Sequence, residues 1–140
     1  MGIEVKVDCS FAKEIEAVTR LEEPLKRALL LEAGKIKIRT QSGRGVDGGA
    51  LKPYSKEYKK RLIEKTGSAK VDLLVTGAMQ RAIEVTVHRE QPGVLTGEIF
   101  FNSAQEAAKA KYNQETREFF GLDQQQVDRI QEAVNRSIKI

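Results

Sequence analysis

Along the chain, apolar and polar positions change period several times, and each change marks an element. Ile3-Glu4-Val5-Lys6-Val7 alternates strictly and predicts a strand with one buried face. Ser10 then stands where a helix cap is wanted. Ile15, Val18, Leu21, Leu25, Ala28, Leu29 and Glu32 recur at steps of three and four, which predicts an amphipathic helix from about residue 11 to the mid-thirties. Pro24 lies inside that stripe and should kink it, since its ring removes a donor and crowds the preceding turn. Residues 40–51 are rich in glycine and predict a long disordered loop. Ser55 caps a short basic helix to about Glu64, and Thr66-Gly67-Ser68-Ala69 is a second loop. The apolar run Val71 to Val75 leads to Thr76, a cap for a short helix ending near Ala82.

The second half is clearer still. Ile83 to His88 and Leu95 to Phe101 both alternate, and Gln91-Pro92-Gly93 between them predicts a β-hairpin. Asn102 or Ser103 caps an alanine-rich helix reaching about Tyr112. Asp123 with Gln126 three residues on predicts a capping box. Val127, Ile130, Val134, Ser137 and Ile138 supply the apolar face of a last helix. The order defines a single α+β domain over 1–140: a small antiparallel sheet, made of the N-terminal strand and the hairpin, packed against a long N-terminal helix and C-terminal helices.

Charge sharpens this picture. Residues 35–70 carry eleven basic side chains against three acidic ones, a local charge of +8, whereas the remaining 13 basic and 17 acidic residues give −4. Such asymmetry points to a polyanion or an acidic protein surface as partner. Arg39, Arg44, Lys52, Lys56, Lys59 and Lys60 are the candidate interaction residues. Lys56, Lys59, Lys60 and Lys65 with Tyr54 and Tyr58 could contact phosphates and stack on bases, the reading of a small basic nucleic-acid-binding module. Yet Tyr54, Tyr58 and Leu62 are four apart, a packing stripe, and a solvated basic face beside a loop is the stronger reading.

Catalytic and cofactor chemistry finds little footing. Gly43-Arg44-Gly45-Val46-Asp47-Gly48 has the spacing of a dinucleotide loop, but Gly49-Ala50-Leu51-Lys52-Pro53 does not open the helix such a loop needs. Gly49-Ala50 also stand where a phosphate loop requires Lys-Ser/Thr. Cys9 is the only cysteine and His88 the only histidine, so neither a disulfide, a Cys–His nucleophile nor a zinc set is expected. Paired carboxylates such as Glu14/Glu16 and Glu22/Glu23 lie on a helix whose other face is apolar and read as a solvated face. Neither an enzymatic activity nor a cofactor is expected. No run of about 18 apolar residues occurs, so no membrane partner is expected. The opening residues lack the pattern of a secretory signal.

Three signatures remain: Leu51-Lys52-Pro53-Tyr54-Ser55-Lys56-Glu57-Tyr58, Leu73-Leu74-Val75-Thr76-Gly77-Ala78-Met79, and Arg117-Glu118-Phe119-Phe120-Gly121-Leu122-Asp123. Their order and spacing resemble those of the bacteriophage virion-morphogenesis proteins, a group that includes tail-completion and head–tail joining proteins. That group shows a Pro-Leu/Tyr-Ser segment after a glycine-rich loop, then Leu-x-x-Thr-Gly-x-Leu/Met, then Arg-x-Phe-Phe-Gly before a closing helix. This chain differs in having Asn113-Gln114-Glu115-Thr116 where His-Gln-x-Gly and a proline are usual. The resemblance implies a structural protein that assembles with copies of itself into a ring, contacts other neck or tail proteins, and faces packaged DNA or an acidic neighbour. It implies the bacterial cytoplasm during assembly and the virion afterwards. Pro53, Tyr54, Thr76, Gly77, Arg117, Phe119, Phe120 and Gly121 are then structural positions of a turn, a cap and a helix anchor.

Overall fold

The computed structural model describes residues 2–8, 15–67, 73, 77–91 and 93–138. Cys9, the Ser10 cap, the Thr76 cap, Pro92 and all of the 71–75 run except Leu73 lie outside the described residues. The elements follow as β1 (Gly2–Asp8), α1 (Ile15–Gln41), α2 (Lys56–Thr66), α3 (Ala78–Arg81), β2 (Ile83–Gln91), β3 (Val94–Phe101), α4 (Ala104–Thr116) and α5 (Gln124–Ile138). The architecture is α+β, as the patterning predicts.

The sheet is antiparallel in the order β1-β3-β2, so the hairpin's second strand is central and the N-terminal strand pairs with it. Ile3 faces Ile99, Val5 faces Gly97 and Val7 faces Leu95. Period-two alternation therefore gathers these residues on one side, and α1 lies across it. Gly97 is what permits the close approach, because a Cβ there would stand 2.3 Å from Leu29 Cδ1. Leu25, Leu29, Ile36, Leu95 and Ile99 are fully buried in the core.

α1 extends beyond the expected mid-thirties, to Gln41. Ile36 and Thr40 continue its buried stripe, and the Thr40 hydroxyl donates to the Ile36 carbonyl at 2.7 Å. The helix runs unbroken through Pro24. Against its C-terminal half packs α5, whose seat differs from the expected one. Gln126, Ile130 and Val134, spaced by four, are buried, whereas Val127 and Ser137 face solvent. The capping box forms, with Asp123 N–H donating to Gln126 Oε1 at 3.0 Å and Gln126 N–H to Asp123 Oδ1 at 2.8 Å. What holds Gln126 inward is Arg39 of α1, whose Nη1 donates to the same Oε1 at 2.9 Å. Between the two helices the buried Glu32 accepts from Arg129 Nε at 3.0 Å and from Nη2 at 2.6 Å. Hydrogen bonding to Glu32 raises the Arg129 guanidinium above its ordinary pKa.

The remaining caps are local. Ser55 Oγ accepts from Tyr58 N–H, and Ser103 Oγ from Glu106 N–H. The N-cap residue of α3 is Gly77, with φ of 73°. No described helix is long and apolar enough to cross a membrane.

Candidate functional site

Residues far apart in sequence meet at the turn 117–121, and the contacts are main-chain carbonyls held by side chains. Arg117 donates from Nε to the Lys52 carbonyl at 2.7 Å and from Nη2 to the Pro53 carbonyl at 3.1 Å. The same guanidinium lies 4.7 Å from the centre of the Tyr54 ring, a favourable cation–π placement. Tyr54 in turn meets Tyr58 edge-on at 4.8 Å, one turn into α2. The first and third signatures are thus one joint, with Arg117 as its pin.

Next along the turn, Phe119 and Phe120 enter the core. Phe119 is fully buried, and Phe120 packs on Phe101 with ring centres 4.7 Å apart. Two side chains hold the backbone around them. Gln114 Oε1 accepts from the N–H groups of Phe119 and Phe120, and its Nε2 donates to the Phe120 carbonyl at 2.9 Å. From α1, Arg39 Nη2 donates to the carbonyls of Phe119 and Gly121 at 2.9 and 3.0 Å, and Nη1 donates to Gln126 Oε1 at 2.9 Å. Burial lowers the Arg39 pKa from its ordinary value, and the charge of Asp123 acts in the opposite direction.

The glycine-rich segment docks on the same turn. Val46 N–H donates to the Glu118 carbonyl at 3.0 Å, Gly45 N–H to Gly49 at 2.9 Å and Leu51 N–H to Gly43 at 2.8 Å. Leu51 is buried. A Cβ on Gly45 would lie 2.6 Å from the Glu118 carbonyl oxygen, so the backbone contact depends on glycine. These bonds trace the segment's path against the turn.

Beside the joint lies a groove of about 530 Å3, lined among others by Tyr54, Tyr58, Met79, Glu106, Lys109 and Arg117. Leu73 and Gly77 of the second signature also border it. All three signatures therefore meet at one surface feature. At its wall Glu106 is 9% exposed, and its Oε1 accepts from Lys109 Nζ at 3.1 Å. Glu106 Oε2 is buried without a hydrogen-bond partner.

The basic candidates divide. Arg39 is turned inward as a brace, which charge counting could not foresee. Arg44 is exposed and donates to the Gly48 carbonyl within its own loop. Lys52, Lys56 and Lys60 are exposed and Lys59 is half-buried. Gln114 and Glu106 are the residues sequence reasoning missed. A glutamine in the last turn of a helix, five residues before a buried aromatic, was the available signal for the first. Among the described residues no group of three His, Cys, Asp or Glu side chains is placed to hold a metal ion. No protein-family model, curated protein or solved structure matches this chain.

Proposed function

We propose that the chain is a structural protein of virion morphogenesis in a bacteriophage or prophage, acting in tail completion or head–tail joining as a subunit of a ring. It performs no catalytic step, takes no cofactor, and works in the bacterial cytoplasm before entering the neck or tail of the particle. Carrying this reading is the convergence of the three signatures behind the resemblance, with Arg117 bonded to Lys52 and Pro53, and Gly77 and Met79 lining the same groove. Such a joint fixes the relative placement of a groove, a basic helix and a glycine-rich loop, which is what an assembly subunit must present to its neighbours. Deleting the coding sequence from the genome that carries it, then imaging the particles made after induction, tests the proposal. Unjoined heads and tails, or unfinished tails, are expected, with rescue by the chain supplied in trans. Normal infectious particles without it would overturn the reading.

The exposure of Lys52, Lys56 and Lys60 favours one alternative, a small nucleic-acid-binding module. Its mark is DNA affinity that falls steeply with salt, because phosphate contacts release counterions. A flat titration at low salt removes it.

A further inference from the structure

Helix α1 is apolar on two sides, and the fold covers only one of them. Its inner stripe, including Val18, Leu21, Leu25, Leu29 and Ile36, is buried in the core. On the outer side Leu30, Leu31 and Ile38 stand 51, 58 and 66% exposed. With Gly34 among them they recur at steps of three and four, the spacing of one helical face. Exposed apolar side chains scattered singly need no explanation, but three large aliphatic ones grouped on one face form a patch. A Cβ built at Gly34 would meet nothing within 4 Å, so the middle of the patch is open to a close neighbour. Leu31 also borders a groove of about 460 Å3 between α1 and α5, together with Pro24, Ala28, Ile130 and the cations Arg27 and Arg136.

Charge selects the occupant. Between residues 26 and 38 the charges that reach the surface are the exposed Lys26 and Arg27 and the half-buried Lys35 and Lys37. The single carboxylate of that stretch, Glu32, is buried and bound to Arg129. A second copy docked through the same face would set four cations against four, which like-charge repulsion disfavours. An anionic lipid surface shares the basic and apolar chemistry, but the patch lacks the aromatic residues of interfacial helices and gives a flat surface no use for a notch. A helix, by contrast, uses a glycine to bring its axis close.

We propose that the outer face of α1 docks an acidic amphipathic helix of a partner protein. Its apolar stripe lies over Leu30, Leu31 and Ile38, its closest approach is at Gly34, and its carboxylates meet Lys26, Arg27, Lys35 and Lys37. This inference is independent of the virion reading, since a partner helix of this kind can belong to any assembly.

The test uses the full chain and a fluorescein-labelled synthetic peptide of about 18 residues, about 27 Å long when helical, with leucine on one stripe and glutamate elsewhere. A matched peptide with lysine for glutamate, and phosphatidylglycerol-containing vesicles, serve as the competing probes. Saturable anisotropy changes are expected with the glutamate peptide alone, weakening as salt is raised. The double variant Leu31→Ser/Ile38→Ser, the notch filler Gly34→Phe and the charge reversal Lys35→Glu/Lys37→Glu should each weaken binding by about tenfold or more. Their circular dichroism should match the parent, because all the altered positions lie outside the buried core, and none should melt earlier; Gly34→Phe should melt slightly later, since it removes a glycine from mid-helix. The proposal is overturned by equal binding of the two peptides, by no saturable binding, or by variants that bind like the parent. It is likewise overturned if vesicles capture the chain and the peptide does not, or if sedimentation shows a dimer that Leu31→Ser/Ile38→Ser dissolves.

Discussion

The conspicuous cations of this chain occupy two neighbouring regions, the 117–121 turn with Arg39 beneath it and the lysine-rich helix α2. In the turn, Arg39 and Arg117 each bind two main-chain carbonyls, and every such carbonyl belongs to a segment distant in sequence. In α2, Lys56 and Lys60 point to solvent, and among the helix's described side chains only Leu62 is buried. One set of charges is structural material and the other is surface. The difference lies in donor geometry. A guanidinium presents several N–H groups in a fixed fork that can span two carbonyls, whereas an ammonium is a compact, strongly hydrated charge on a flexible stem. The basic 35–70 stretch therefore overstates the charge available to a partner, since Arg39 is spent inside the fold.

The comparison breaks first at the aromatic anchor. Phe119→Ala removes a fully buried ring from the core and should cost about 3–5 kcal/mol in chemical denaturation. Arg39→Met comes next. It keeps apolar bulk but leaves the carbonyls of Phe119 and Gly121 without their donor, at a cost of about 2 kcal/mol by the same measurement. A loss below about 0.5 kcal/mol would show that Arg39 is no brace and belongs with the surface cations after all.

The legible parts of the molecule are those whose physics is local. Strand alternation, the Ser55 and Ser103 caps and the Asp123–Gln126 box each depend on residues within a few positions, and each stands where the pattern puts it. The inward turn of Gln126 was half-legible: the box was visible, but its consequence for the buried face of α5 needed Arg39, 87 residues away. The path of the glycine-rich segment is less legible, because its glycines leave the backbone free and one of its contacts, Val46 N–H to the Glu118 carbonyl, is with another part of the chain. Gln114 escaped for a similar reason, because a side chain that bends back over its own helix end leaves no period in the sequence. The outer apolar face of α1 was masked differently: the inner stripe already accounted for the helix, so Leu30, Leu31 and Ile38 passed as background.

Two caps sharpen the contrast with smaller effects. Asp123→Ala and Ser55→Ala each remove one capping acceptor and should cost about 1 kcal/mol. Asp123 sits beside the braced turn and shares Gln126 with Arg39, so its loss should appear in the global melting transition. Ser55 caps a helix with one buried apolar residue, so its loss should appear chiefly as faster amide exchange within α2. Equal global destabilisation by both would mean that α2 is bound to the core as firmly as the turn.

The smallest effect is the most discriminating. Lys56→Gln with Lys60→Gln deletes two exposed charges without touching a packed atom, and stability should change by no more than about 0.5 kcal/mol. Neutralising them should nonetheless weaken any contact with an acidic partner or DNA, and lower its dependence on salt. Arg39→Met gives the opposite pattern, a large loss of stability with little direct effect on an outer contact. If the two variants instead lowered stability alike, α2 would be held by its charges, and the division between bracing and presented cations would fail.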